Sequence, residues 1–174
     1  MIIDEAYINY SRQKTFIQEL TEYPNLIVMQ TLSKAWGLAA LRLGIAFASM
    51  DMIELFNKVK PPYNINEASQ QLALEGLQNT QQVNEWIKTV VHQKEILVNA
   101  LHQLSFVRHI YPTDANFILV KVHDAVAVYN YLAQEGIVIR NRTNELMCEN
   151  CVRITIGTEN ENTLLIQTLN NYHE

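Results

Sequence analysis

The apolar positions of this chain change rhythm along its length, and the changes divide it into short elements. Met1-Ile2-Ile3 is an apolar strand pattern that runs straight into Asp4-Glu5-Ala6-Tyr7. Residues 12–22 place Phe16, Ile17 and Leu20 on one side of a helical wheel and predict a short amphipathic helix, ended by Tyr23-Pro24-Asn25. Leu26-Ile27-Val28-Met29 is a continuous β-prone run, the pattern of a strand covered on both faces. Leu43 to Ala48 predicts another strand, and Met50 to Lys60 a helix stopped at Pro61-Pro62, because proline cannot continue the helical ladder. Asn66 is placed to cap a helix through Gln78.

A longer helix is predicted from Gln82 to Leu104, with a broad apolar face that includes Val83, Trp86, Ile87, Val90, Val91, Leu97 and Leu101. It is long enough to bridge two domains. The last third then turns to short β-prone segments: Phe106 to Tyr111, Asn116 to Val122, Ile137 to Arg140 and Val152 to Ile156. Helical patterns at Asp124–Gln134 and Glu159–Tyr172 lie between and after them, and Gly136 is suited to close the first. The whole predicts an α/β chain in two parts, residues 1–80 and 81–174, with no repeat and no low-complexity tract.

Charge narrows the partners. The 174 residues carry a formal charge of -5 with their arginines scattered singly, so a nucleic-acid partner is not expected. The apolar runs are too short to span a bilayer, so no membrane partner is expected either. The acidic start has no basic leader, which predicts a cytoplasmic setting. A domain rarely opens on the first residue of a central strand, so an N-terminal portion is expected to precede Met1. Cys148 and Cys151 form one C-x-x-C without the further ligands a zinc site needs. They read as reduced, structurally incidental thiols, with a redox pair as the alternative. His92 and His102 have no ligand partners at metal spacing, and no metal is expected.

Candidate chemistry centres on Thr31 to Gly44. Lys34 sits among Leu32, Ala35, Trp36 and Leu38, so it is either snorkelling to solvent or buried for a purpose. A buried amine sheds its proton more readily and can attack a carbonyl. Arg42 adds a planar fork suited to phosphate, and Thr31 and Ser33 add hydroxyl donors. Asp4, closing the first strand, is either a carboxylate held at the rim of a parallel sheet or an ordinary solvated strand end. Arg140 and Arg142 admit the same solvated reading. Arg153 lies within an apolar run, where an unpaired guanidinium is costly, so an anion or carboxylate is expected beside it.

Asp4-Glu5-Ala6-Tyr7 and Thr31-Leu32-Ser33-Lys34-Ala35-Trp36-Gly37-Leu38-Ala39-Ala40-Leu41-Arg42-Leu43-Gly44 resemble the cofactor segment of the fold-type I, pyridoxal-phosphate-dependent aminotransferases. Gly136 to Arg140 and Val152 to Thr158 are similar to segments by which members of that family bind a phosphorylated substrate. The resemblance extends over essentially the whole chain. It implies the C-terminal part of that fold: a fragment of the large-domain sheet in residues 1–80, and the small α/β domain in 81–174. It also implies pyridoxal 5'-phosphate as cofactor, with Lys34 carrying it as a Schiff base and shuttling the substrate's α-proton to the cofactor's aldehyde carbon.

The same resemblance gives each other residue a role. Asp4 would keep the pyridine nitrogen protonated, and Tyr7 would bond the ring's phenolic oxygen. Ser33, Thr31 and Arg42 would hold the phosphate. Arg153 would clamp a substrate carboxylate and Arg140 a substrate phosphate. Partners would be small molecules, an amino acid and a keto acid, one of them phosphorylated, and the parent enzyme would be a homodimer. Ala40 departs from the family's usual glycine and Trp36 from its phenylalanine, both mild changes of packing. The family's first half, which supplies most of the large-domain sheet and further cofactor contacts, has no counterpart here. Three alternatives therefore stand beside the resemblance: another aminotransferase of the fold, a phosphothreonine decarboxylase of the same fold, or a folded but inactive fragment.

Overall fold

The computed structural model describes residues 1–173, and the chain divides into two compact units, Met1–Ile87 and the part from Lys88 on. In the first unit, strand β1 (Ile2–Asp4) lies parallel to β2 (Ile27–Thr31), and β3 (Gly44–Ala48) runs antiparallel on the other side of β2. Ile2 pairs with Ile27 and Asp4 with Met29. The two parallel strands therefore deliver the residues that follow them to the same edge of the sheet. Leu26, Ile27 and Val28 are buried, but Met29 is 39% exposed, so the cover expected on both faces of this run extends only to its first residues. The cross-strand neighbours of Met29 are Asp4 and Ala46, both too short and too exposed to cover it.

Residues 12–22 do not form the expected amphipathic helix. A single 3-10 turn, Phe16–Glu19, replaces it. The cause lies outside the segment: the buried Glu5 carboxylate accepts from Thr15 Oγ1 at 2.7 Å and from the Phe16 amide at 2.7 Å. Thr15 Oγ1 in turn accepts from the Ile17 amide at 3.2 Å. Backbone donors tied to side chains in this way pin the segment to the end of β1 and leave room for one tight turn.

Helix α1 (Met50–Val59) ends at Lys60, just before Pro61-Pro62, as proline's missing donor requires. Helix α2 (Glu67–Leu77) is capped by Asn66, whose Oδ1 accepts from the Ser69 amide at 2.8 Å. Neither helix buries much: α1 has no buried residue, and in α2 only Ala73 is buried. Leu55, Val59, Leu72 and Leu74 stand exposed on them. Helix α3 (Thr80–Leu101) contains the division between the units, which falls between Ile87 and Lys88. No described helix is long and apolar enough to cross a membrane.

The second unit is a four-stranded antiparallel sheet with helices on one face. Strands β4 (Val107–Ile110), β5 (Phe117–Val122), β6 (Arg140–Asn141) and β7 (Cys151–Thr155) lie in the order β4-β5-β7-β6. Alternate residues of β5 and β7, Ile118, Val120, Val122, Val152 and Ile154, enter one core. Leu97 and Leu101 of α3 join them, with Val128 and Leu132 of α4 (Ala125–Gln134) and Leu165 and Leu169 of α5 (Glu159–Asn170). Buried Asn162 of α5 donates from Nδ2 to Gln93 Oε1 at 3.0 Å and accepts at Oδ1 from the Gly157 amide at 3.0 Å, so both ends of its amide are bonded in the interior.

Of the strand expected over Ile137 to Arg140 only Arg140 pairs in the ladder, joined there by Asn141. The preceding residues are used to end α4. The Ile137 amide donates to Leu132 O at 2.8 Å and the Gly136 amide to Ala133 O at 3.1 Å, the paired bonds of a Schellman motif. Gly136 takes the left-handed φ of 79° this motif needs, at a position where a side chain is disfavoured.

The start of α5 carries a capping box. Thr158 Oγ1 accepts from the Glu161 amide at 3.4 Å, while Glu161 Oε2 accepts from the Thr158 amide at 2.7 Å. The Thr158 backbone N–H, and after it the Thr158 hydroxyl, hold the Glu161 carboxyl below the ordinary glutamate range. A depressed acid stabilises the fold above its unfolded pKa of about 4.3, and that stabilisation is lost as pH falls through the lower folded value. Thr158→Ala is expected to cost about 1 kcal/mol in urea unfolding at neutral pH. Glu161→Gln is expected to flatten the acid limb of a thermal-unfolding profile below pH of about 4.3, and an unchanged limb would remove this residue from the pH response.

Candidate active site

Asp4 and Thr31 end the two parallel strands, at the edge where ligands of open α/β sheets collect. Asp4 Oδ1 accepts from the Ala6 amide at 2.9 Å, a local turn that swings the chain away from the sheet toward Tyr7. The Tyr7 ring centroid lies 5.3 Å from Lys34 Nζ, within range of a cation–π contact. The two segments singled out by sequence thus meet across the ends of β1 and β2.

Lys34 is exposed, which decides between the two sequence readings: the amine stands in solvent rather than in a buried pocket. Its neighbours explain this. Leu32 and Ala35, at 4% and 5% exposure, turn inward and anchor the loop, so the lysine between them faces out. Helix α2 backs the same loop closely, because a side-chain carbon at Gly76 would meet Leu38 Cδ1 at 2.7 Å.

Thr31 has its hydroxyl proton committed: Oγ1 donates to Leu43 O at 3.1 Å and accepts from the Ser33 amide at 3.1 Å. It ties the end of β2 to the loop carrying Arg42, and as a ligand it offers acceptor capacity only. Arg42 takes a left-handed φ of 55° at the end of the 3-10 turn Ala39–Leu41, and its Nη1 donates to Ala39 O at 3.1 Å. Non-glycine residues seldom adopt this conformation, and such positions concentrate at functional sites. The guanidinium keeps further donors for an anion.

Glu5 belongs to this edge and was not anticipated as a site residue. It is 6% exposed and accepts from Thr15, from Phe16 and, at 2.9 Å, from Gln30 Nε2. The signal was the strand period: adjacent acids at a strand end point to opposite faces, so one of Asp4 and Glu5 had to face inward.

The second unit brings two arginines together. Arg140 of β6 is the register partner of Arg153 of β7. Side chains so placed share a face with Cβ atoms about 4.5–5.5 Å apart. This is the face opposite the core, since Val152 and Ile154 on either side of Arg153 are buried. Arg153 is half-buried, with Cζ 5.0 Å from the Phe117 ring centroid. Its Nε is buried without a hydrogen-bond partner. The carboxylate expected beside it is not supplied by any described residue; an aromatic face takes the space. Arg142 is engaged instead with Glu145 at 2.8 Å, which separates it from the pair. Two arginines paired across the ladder, one with an unmet buried donor, form an arrangement suited to an anion.

The donor set of the first unit fits a phosphorylated pyridine aldehyde: an amine, a strand-end carboxylate, a phenol, a serine hydroxyl and a free-ended guanidinium on one sheet edge. Comparison with known proteins gives the same direction. The family model for aminotransferases of class I and II matches residues 1–169. A histidinol-phosphate aminotransferase of Flavobacterium johnsoniae is 51% identical over 97% of this chain and 48% of its own length. One from Bacteroides fragilis is 47% identical over 99% of this chain and 50% of its own length. The crystal structure of the histidinol-phosphate aminotransferase from Clostridium acetobutylicum superposes with a TM-score of 0.87 at 24% identity, over 97% of this chain and 52% of that one. The L-threonine-O-3-phosphate decarboxylase of Porphyromonas gingivalis shares the fold, with a TM-score of 0.76 at 24% identity over 97% of this chain and 53% of that one. The chain spans about half the length of the relatives it matches.

Proposed function

The chain belongs to the class I and II aminotransferase family, and we propose that it is the part of a histidinol-phosphate aminotransferase that carries the cofactor lysine and the anion-binding arginines. The parent reaction is ping-pong transfer of an amino group between glutamate and imidazole-acetol phosphate, giving 2-oxoglutarate and histidinol phosphate, a step of histidine biosynthesis. The observation that carries this reading is the meeting of Lys34 with Tyr7 at the edge where Asp4 ends β1. The Arg140–Arg153 pair supports a substrate with phosphate and carboxylate groups to hold.

Pyridoxal 5'-phosphate, when bound, supplies the electron sink for chemistry at the substrate α-carbon. Lys34 holds the cofactor and moves the α-proton through Nζ. Asp4 keeps a proton on the ring nitrogen, and Tyr7 donates to the phenolic oxygen. Ser33 and Arg42 hold the phosphate, with Thr31 fixing the loop from which Arg42 reaches. Arg140 takes a substrate phosphate and Arg153 a carboxylate.

A second reading is favoured by the exposure of Lys34 and of apolar residues across the first unit: this chain alone folds but has an incomplete cofactor site. Titration with pyridoxal phosphate separates the two. Binding through Lys34 gives a visible absorption band that Lys34→Ala abolishes. No lysine-dependent band at millimolar cofactor establishes the incomplete site instead. The decarboxylase of the same fold is told apart by its product, carbon dioxide with no keto acid.

A further inference from the structure

The connection from β6 to β7 is a relay of three turns. The Glu145 amide donates to Arg142 O at 2.9 Å, the Cys148 amide to Glu145 O at 3.1 Å and the Cys151 amide to Cys148 O at 2.9 Å. Each turn starts on the residue that closes the one before. A turn closed in this way holds its outer Cα atoms within about 7 Å, close to the span of about 4.4–6.8 Å that a disulfide bridges. The last turn therefore brings the two cysteines within bridging range, and Cys148 lies near enough to act on the ionisation of Cys151. Asn150 supports it with a left-handed φ of 54°, a conformation asparagine tolerates.

The two cysteines are not equivalent. Cys151 is fully buried at the start of β7, and its Sγ lies 3.7 Å from Glu149 O. Burial, and next the neighbouring Cys148, push its thiol up, while its cross-strand partner Lys121 and the Tyr111 hydroxyl act in the opposite sense. Cys148 is half-buried and reachable from solvent. One thiol is open to reagents, and the other is shielded but placed to reach its neighbour.

We propose that Cys148 and Cys151 form a reversible thiol-modification site, in which Cys148 reacts with a low-molecular-weight disulfide and Cys151 resolves the product to an intrachain disulfide. In the first step the Cys148 thiolate attacks one sulfur of the reagent; a mixed disulfide forms, the reagent's S–S bond breaks and one thiolate leaves. In the second, the Cys151 thiolate attacks the Cys148 sulfur and expels the other thiolate. The two protein thiols are oxidised by two electrons, the reagent is reduced to two thiols, and the cysteine protons end on those thiols. The bridge closes the turn that opens β7, two places before Arg153.

The test is incubation of the 174-residue chain with oxidised glutathione, read by thiol titration and intact mass. The expected product has lost two hydrogens and both titratable thiols, carries no glutathione, and regains both thiols with dithiothreitol. Cys151→Ser, which cannot resolve, is expected to hold one glutathione on Cys148. Cys148→Ser is expected to stay unmodified, because the remaining thiol is buried. Unmodified wild-type chain, stable glutathione on either cysteine of the wild type, or disulfide-linked dimers would each overturn the proposal. Modification of Cys148→Ser in its folded state would do the same, and the wild-type readings stand even where a variant fails to fold.

Discussion

Glu5→Ala is expected to lower the unfolding free energy of the Met1–Ile87 unit by about 3 kcal/mol. The carboxylate accepts from three donors: Thr15 Oγ1, the Phe16 amide and Gln30 Nε2. Removing it strands those donors in a part-buried setting, where each unmet group costs roughly 1–3 kcal/mol, less whatever water restores. Urea unfolding followed by circular dichroism measures the effect. A loss below about 1 kcal/mol would mean that water replaces the carboxylate. Glu5→Gln keeps the shape but brings an amide against the Gln30 amide and the Thr15 hydroxyl, so it is expected to fall between the two. The same variant should loosen Asp4 and Tyr7, because the chain between them is bound to the sheet through this residue.

Arg153→Leu is expected to act in opposite directions on stability and on binding. The wild-type guanidinium has a buried Nε without a partner and a second arginine directly across the ladder. Both are unfavourable in the absence of an anion. Leucine keeps an apolar contact for Phe117 and removes both costs, so the unit from Lys88 on should be equally stable or gain up to about 1 kcal/mol. Inorganic phosphate at tenfold above its dissociation constant should stabilise the wild type by about 1.4 kcal/mol and the variant by less, because only Arg140 of the pair remains to hold it. Denaturation with and without phosphate checks both halves. A destabilised variant that keeps its phosphate response would show that Arg153 is a packing residue.

Local signals account for what was legible in advance. The stop of α1 at Pro61-Pro62, the Asn66 cap of α2 and the close of α4 at Gly136 are each decided within a few residues, and each was readable from them. Lys34, Asp4 and Arg42 were likewise singled out from local segments, which resemble the cofactor-binding ones of the aminotransferases. What could not be read was decided at a distance. Residues 12–22 have a helical pattern, yet Glu5 claims the donors of Thr15 and Phe16. Thr31 looks like a free hydroxyl until the β2–β3 register places Leu43 O beside it. Arg140 and Arg153 are unrelated in the sequence pattern and adjacent only through the β6–β7 ladder. The exposure of Lys34 depends on what packs over its loop, and neighbouring residue types do not state that.

The opposed directions of Asp4 and Glu5 make β1 intolerant of sliding. A strand of three residues has few ladder bonds to hold its place, and a shift of one residue reverses the facing of every side chain in it. Such a slip would turn Glu5 out to the ligand edge and drive Asp4, one methylene shorter, toward Thr15, Phe16 and Gln30. The three bonds to Glu5 therefore set the parity of the strand, and through it they select which of two neighbouring acids stands exposed at the sheet edge.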